Sequence, residues 1–140
     1  MNLDKTILVM DDDIYACAML EDVVRGYGYL VDCARNSAEA IDHLRQRQYD
    51  GIILDAWLEE EQGRSVMQWM RRQRRSEPVI MMSETPSDEL WVDVINRGAS
   101  DLIAKPVQAA QIKRTLLMAI ERKCMTPLPG EISAPTLPNG

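Results

Sequence analysis

Residues 6–13 read TILVMDDD, a run of five β-branched or apolar residues followed directly by three aspartates. A short run of this kind predicts a β-strand that is buried on both faces, as in a parallel sheet covered by helices. The aspartates then stand at the carboxyl end of that strand. The segment therefore indicates an α/β domain with acidic groups at one edge of its sheet.

Four further apolar runs alternate with segments of helical periodicity. The runs lie at residues 29–34, 51–54, 79–82 and 102–104. The first of these alternates in polarity, which is typical of an edge strand. Asn36 and Glu39 match a capping box for the second helix, and Gly63 is expected to precede the third. Five β-α units in series predict a parallel sheet with helices on both faces, because parallel strands need crossover connections.

The composition is that of a soluble globular protein. The 140 residues suit one domain, with 46% hydrophobic and 27% charged residues. A net charge of -6 argues against direct binding to nucleic acid, and no apolar run is long enough to span a membrane. Charges interrupt the N-terminal stretch, so no signal peptide is expected. Three cysteines without metal-ligand spacing suit a reducing, cytoplasmic location.

The composition changes near the C-terminus. Residues 124–140 contain four prolines among glycine, serine and threonine residues, with Glu131 as the single charged residue. This composition predicts a flexible tail or the start of a linker. The expected domain therefore spans residues 1–123. One interpretation of the tail is a linker that leads to an output domain beyond the chain.

Polar residues follow the predicted strands at the edge where parallel α/β sheets bind ligands. Asp11 and Asp12 follow the first strand, Asp55 the third, Ser83 the fourth and Lys105 the fifth. Crowded carboxylates repel one another, so a cation is expected between them, and an all-oxygen site suits Mg²⁺. A carboxylate beside Mg²⁺ can attack a phosphoryl group, while an ammonium and a hydroxyl stabilise the product.

The ordered motifs resemble the receiver domain of two-component response regulators over roughly residues 4–123. The matching segments are 7–13 (ILVMDDD), 50–55 (DGIILD), 78–83 (PVIMMS) and 98–106 (GASDLIAKP), with Gly63 eight residues after Asp55. The resemblance implies a flavodoxin-like (βα)5 fold with the strand order 2-1-3-4-5. It also implies a phosphoacceptor signalling domain that is not an enzyme in the usual sense.

The resemblance implies a role for each residue of the predicted site. Asp55 is the expected phosphoacceptor for a histidine kinase, a phosphotransfer protein or a small phosphodonor. The implied magnesium ligands are Asp11, Asp12, Asp55 and the backbone carbonyl of Trp57. Ser83 and Lys105 are expected to contact the phosphoryl group. Their movement is expected to change the face formed by the fourth helix, fifth strand and fifth helix, through which a homodimer can form.

Several residues depart from the usual receiver pattern. Leu58 and Glu59 stand where the family usually carries Met-Pro, and Glu84 stands where a small residue is usual. Leu102 occupies the position of the usual aromatic switch residue, so the signal is expected to pass through Ser83 and the packing of the fourth helix. These departures leave open a degenerate receiver that acts as a phosphorylation-independent docking or dimerisation module.

A second alternative is a haloacid-dehalogenase-like phosphatase. Asp11 and Asp13 have the Asp-x-Asp spacing of a nucleophile and an acid/base group. Tyr15, however, stands where Thr or Val is usual, and the hypothesis leaves Asp55 unexplained. It is therefore less favoured than the receiver interpretation.

Two further features concern the surface of the domain. Trp91 is expected to face the core from the fourth helix, whereas an exposed Trp91 would mark a protein interface. A basic run near the end of the third helix comprises Arg71, Arg72, Arg74 and Arg75. It predicts a solvated helix end, with a docking patch for an acidic partner as the alternative.

Overall fold

The computed structural model describes residues 5–55 and 62–124, in which five strands alternate with five helices. The strands are β1 Thr6–Met10, β2 Leu30–Ala34, β3 Gly51–Asp55, β4 Val79–Ser83 and β5 Asp101–Ala104. The helices are α1 Ile14–Arg25, α2 Ser37–Gln46, α3 Gln62–Arg72, α4 Asp88–Asn96 and α5 Ala109–Cys124. Residues 125–140 lie outside the described residues, so the predicted division into domain and tail stays a prediction.

All five strands pair in parallel in one sheet of order β2-β1-β3-β4-β5, which confirms the predicted fold. β1, β3 and β4 are buried along their whole length, because helices cover both faces of the sheet. β2 lies at an edge and is only partly buried, as its alternating sequence predicts. Within the described ranges, no helix has both the length and the apolar content needed to cross a membrane.

Successive strand residues enter two separate apolar clusters, one on each face of the sheet. Leu8 and Leu54 pack with residues of α2, α3 and α4, whereas Val9 and Ile53 pack with residues of α1 and α5. This alternation follows from the two-residue period of a strand. Because both faces are packed, the carboxyl ends of the strands are held at one edge in fixed register.

The starts of α2 and α3 show how closely local signals locate a helix. Asn36 caps α2 by accepting from the N–H of Glu39 at 2.9 Å, and the Glu39 carboxylate accepts from the N–H of Arg35 at 2.8 Å. The predicted capping box therefore forms, with its return bond one residue further out. The prediction that Gly63 precedes α3 is wrong, because the helix begins at Gln62. Glycine disfavours a helix because of its backbone freedom, so it indicates a helix boundary only to within one or two residues.

α4 turns a different side to the core than the sequence predicts. Trp91 is 48% exposed, so the expectation that it faces the core is wrong. Val94 is buried and Leu90 packs against the core, and these two residues, one turn apart, form the inner side of the helix. Trp91 is rotated by about 100° from Leu90 around the helix axis. Together with the exposed Val92, it leaves an apolar surface on α4.

The basic run near the end of α3 divides into exposed and buried parts. The exposed members are Arg71, Arg72 and Arg74. The prediction of a solvated group is wrong for Arg75, whose guanidinium donates to both carboxylate oxygens of Glu77 at 2.6 and 3.1 Å and to the carbonyl of Leu44 at 2.6 Å. Glu77 is buried and also accepts from the N–H of Tyr49. A buried carboxylate needs such a partner, and Arg75 supplies it.

Candidate functional site

The predicted site residues converge at the carboxyl edge of the sheet. Asp11 and Asp12 directly follow β1, Asp55 ends the neighbouring β3, Ser83 ends β4, and Lys105 directly follows β5. The parallel register brings these strand ends to one edge. Asp11, Asp55 and Ser83 are buried there, whereas Asp12 is exposed.

Three carboxylates form an acidic cluster, which comprises Asp11, Asp12 and Asp55. One oxygen atom from each carboxylate lies within 4.8 Å of the other two. Negative charges at this separation repel one another strongly where burial lowers the local dielectric constant. The cluster could hold a metal ion, and its all-oxygen donor set fits a hard cation.

Lys105 links two members of the acidic cluster. Its Nζ atom lies 3.0 Å from Oδ2 of Asp11 and 3.1 Å from Oδ2 of Asp55. Burial alone would lower the pKa of Lys105, but the hydrogen bonds to Asp11 and Asp55, together with the negative charges of these two carboxylates, raise the pKa above its ordinary value. Lys105 therefore carries a full positive charge at neutral pH.

Backbone groups hold Asp11 in place. Its Oδ1 atom accepts from the N–H of Asp13 at 3.0 Å, and its own N–H donates to the carbonyl of Ala34 at 3.1 Å. The Asp13 carboxylate caps α1 by accepting from the N–H of Tyr15 at 2.9 Å. A helix cap thus accounts for Asp13, the residue that the phosphatase hypothesis uses as its acid/base group.

Ser83 is connected to Lys105 through the backbone. The Lys105 N–H donates to the Ser83 carbonyl at 2.8 Å, and the Ser83 hydroxyl accepts from the N–H of Thr85 at 3.0 Å. Ser83 immediately follows Met82, which pairs with Asp55 across the β3–β4 ladder. The sheet therefore places the hydroxyl-bearing residue beside the strand end that carries Asp55.

Two other predicted residues stand apart from this centre. Leu102 is half-buried on β5, opposite Met81 of β4, and packs against the core on the face covered by α2, α3 and α4. Trp57, together with Leu58 and Glu59, lies outside the described residues, so its role as a carbonyl ligand stays a prediction. The Lys105–Pro106 peptide bond is cis.

A cavity of about 410 Å³ opens beside Asp11 and Lys105. One wall comes from α1, and its lining residues are Ala16, Met19 and Leu20. Glu84 also lines the cavity and is exposed. The α1 wall was not predicted as part of the site, because the predicted site residues were identified only by their positions at the ends of strands. These three residues follow Asp13 at helical spacing, and this pattern was the sequence feature that could have indicated a wall formed by α1.

Comparisons with known proteins agree with this geometry. The family described as "Response regulator receiver domain" matches residues 7–117. The transcriptional regulatory protein ZraR of Escherichia coli O157:H7 is 32% identical over 119 residues, or 85% of this chain and 26% of that protein. The chemotaxis protein CheY of Bacillus subtilis (strain 168) is 27% identical over 107 residues, or 76% of this chain and 89% of that protein.

A solved structure shows the same fold. The beryllofluoride-activated NtrC4 receiver domain dimer superposes with a TM-score of 0.77 at 24% identity, over 84% of this chain and 97% of that one. The chain spans about a quarter of the length of the ZraR relatives that it matches. The family match contains the acidic cluster and Lys105, and it supports a phosphoacceptor module over a phosphatase. The chain belongs to the response regulator receiver domain family.

Proposed function

We propose that this domain is a phosphorylation-dependent switch whose phosphoacceptor is Asp55. The observation that carries the proposal is the ion-paired arrangement in which Lys105 joins Asp55 to Asp11 within the acidic cluster. An aspartate is a useful nucleophile for phosphoryl transfer where cationic groups neutralise the added phosphoryl charge. Lys105 supplies one positive charge, and a metal ion held by the acidic cluster can supply further positive charge.

The proposed transfer needs no proton from the protein. A carboxylate oxygen of Asp55 forms a bond to phosphorus while the bond between phosphorus and the donor's leaving group breaks. The electron pair leaves with an imidazole nitrogen for a phosphohistidine donor, or with a carboxylate oxygen for acetyl phosphate. Lys105 stabilises the negative phosphoryl oxygens, and the Ser83 hydroxyl donates a hydrogen bond to one of them.

We infer that the metal is Mg²⁺, bound by Asp11, Asp12 and Asp55. Carboxylate donors favour hard cations, and a site with few protein ligands suits an ion that keeps several waters. The exposure of Asp12 leaves room for such waters. When bound, Mg²⁺ supplies positive charge to the phosphoryl oxygens. The Trp57 carbonyl is proposed as an additional ligand.

We propose that phosphorylation changes the α4-β5-α5 face, which is the surface formed by these three elements. Ser83 and Lys105 both border the phosphoryl site, and the backbone bond between them connects the ends of β4 and β5. Leu102 on β5 lies opposite Met81 and beside α4, so a shift of β5 alters the packing of that helix. Trp91 offers an exposed apolar contact there.

The partners follow from this surface and from the site. The NtrC4 receiver domain forms a dimer in its beryllofluoride-activated structure. By analogy, we propose that this chain forms a homodimer through the α4-β5-α5 face. A histidine kinase or phosphotransfer protein is the proposed donor, and an output domain beyond the chain is the proposed recipient of the signal. The proposed location is the cytoplasm, because three cysteines without metal-ligand spacing are typical of a reducing compartment.

Intact-mass measurement with acetyl phosphate and Mg²⁺ tests the proposal. The wild-type protein should gain one phosphoryl group, and Asp55→Asn should gain none. The exposed Asp22→Asn on α1 makes the same chemical change away from the cluster and should behave as wild type. A wild-type protein that gains no phosphoryl group but still self-associates would favour the phosphorylation-independent docking module.

A further inference from the structure

Two cysteines face each other in the seam between α1 and β2. Cys17 lies on α1 and is buried, whereas Cys33 lies on β2 and is half-buried. Both thiols are free, and both side chains pack in the apolar cluster on the α1 and α5 side of the sheet. Neither thiol belongs to the acidic cluster, although the Cys17 thiol contacts the backbone of Asp11.

Contacts from both sides place the two sulfur atoms in the same small region. The Cys33 thiol donates to Oε1 of Glu21 at 3.4 Å, and Glu21 lies one helical turn after Cys17 on α1. In return, Sγ of Cys17 lies 3.9 Å from the carbonyl of Ala34, the residue that follows Cys33 on β2. Each cysteine thus reaches across the seam to the neighbourhood of the other.

Simple packing and metal binding are the competing explanations for the pair. Packing accounts for the buried Cys17, but it does not require a half-exposed cysteine as its neighbour. Metal binding needs more ligands, and among the described residues the acidic cluster is the one group of three candidate ligands that the geometry brings together. Two adjacent thiols, one of them accessible, are instead the requirement for a disulfide.

We propose that Cys17 and Cys33 form a reversible intramolecular disulfide, with a low-molecular-weight disulfide as the oxidant. Burial raises the pKa of the Cys33 thiol to about 12, so the attack comes from the small fraction that is present as thiolate. That thiolate attacks one sulfur of the oxidant, so a mixed disulfide forms and one small thiol leaves. The sulfur of Cys17 then attacks Cys33, which releases the second small thiol. The two protein thiols give up two electrons and two protons, and the small disulfide becomes two thiols.

The bond would tie α1 to the edge strand β2 directly behind the acidic cluster. The Cys17 thiol now donates to the carbonyl of Asp11 at 3.4 Å, a contact that a disulfide removes. The inference does not depend on the proposed phosphorylation, because disulfide formation is measured without Mg²⁺ or a phosphodonor. Either proposal can therefore fail while the other stands.

Oxidised glutathione tests the inference in a Cys124→Ser background, which removes the third cysteine of the chain. After alkylation of free thiols, intact-mass analysis and peptide mapping should show a Cys17–Cys33 bond that dithiothreitol reverses. The internal bond should exceed the glutathione adduct by about tenfold or more, because thiols that the fold holds close together have a high effective concentration. Cys17→Ala in the same background should stop at the adduct on Cys33.

Three results would overturn the inference. The first is an adduct that accumulates on Cys33 as strongly with Cys17 present as with Cys17→Ala. The second is covalent dimers in place of the internal bond. The third is a protein that stays fully reduced. Circular dichroism of each variant identifies any loss of fold, and Cys17→Ser provides a second substitution if Cys17→Ala does not fold.

Discussion

Nζ of Lys105 lies 3.1 Å from Oδ2 of Asp55, an ion pair between residues that are 50 positions apart in the chain. The two residues stand at the ends of β5 and β3, which are separated in the sheet by β4. Both side chains are largely buried, so the pair is poorly screened by water. Lys105 therefore offsets part of the negative charge of the acidic cluster before a metal ion binds.

Replacing this lysine should make the domain depend on Mg²⁺ for stability. Lys105→Met leaves Asp11 and Asp55 without their ammonium partner, so the free energy of unfolding without Mg²⁺ should fall by roughly 3 kcal/mol. Mg²⁺ should restore part of that loss, because a cation that binds only the folded state stabilises it. Urea unfolding with and without Mg²⁺ measures both effects. The exposed Lys113→Met is the control, and an equal loss in the two variants would contradict the role given to Lys105.

Glu84 should slow the approach of anionic phosphodonors. Its side chain lines the cavity beside Lys105, where a negative charge repels acetyl phosphate. Glu84→Ala should raise the rate of phosphorylation by roughly fivefold, which corresponds to about 1 kcal/mol of Coulomb repulsion. The initial rate of acetyl phosphate labelling measures this. Glu89→Ala removes the same charge from α4 and should leave the rate unchanged, whereas equal rates for all three proteins would remove Glu84 from the access route.

The exposed indole of Trp91 should support self-association after activation. With Mg²⁺ and beryllofluoride, the wild-type protein should sediment as a dimer, and Trp91→Ala should remain monomeric because it loses an apolar contact on the α4-β5-α5 face. Tyr15→Ala removes another exposed aromatic residue, on α1, and should still form the dimer. Sedimentation velocity separates these results. A Trp91→Ala dimer of wild-type affinity would place the interface elsewhere.

Arg75 should be a stabilising residue, unlike its neighbours in the basic run. Arg75→Met leaves the buried Glu77 carboxylate without its cation, and the free energy of unfolding should fall by about 3 kcal/mol. Arg71→Met changes an exposed side chain and should stay within about 0.5 kcal/mol of wild type. Urea denaturation compares the two directly, and similar small effects would show that the Arg75–Glu77 pair contributes little.

The central strands and the site were predictable because they share one cause. Strands buried on both faces must be continuously apolar, so Asp55 and Ser83 at their ends are conspicuous in the sequence. Trp91 and Arg75 were misassigned because their surroundings depend on tertiary packing. Helical periodicity does not specify which side of α4 meets the sheet, and the charge run does not reveal that Glu77 draws Arg75 inwards.

The proximity of Cys17 to Cys33 was likewise hidden from the sequence. The two residues are 16 positions apart, without a spacing that indicates a disulfide or a metal site. Their proximity depends on how α1 packs across β2, which a pattern of apolar residues does not specify. The proximity of two side chains on different elements is therefore visible only in the structure.

Chemical trapping of the phosphorylated residue identifies the phosphoacceptor directly. The protein is treated with acetyl phosphate and Mg²⁺, and borohydride then reduces any aspartyl phosphate to homoserine, which peptide sequencing by mass spectrometry locates. We expect homoserine at position 55 and unmodified aspartates at positions 11 and 12. Homoserine at position 11 or 12, or none at any position in a protein that still binds Mg²⁺, would contradict Asp55 as the phosphoacceptor.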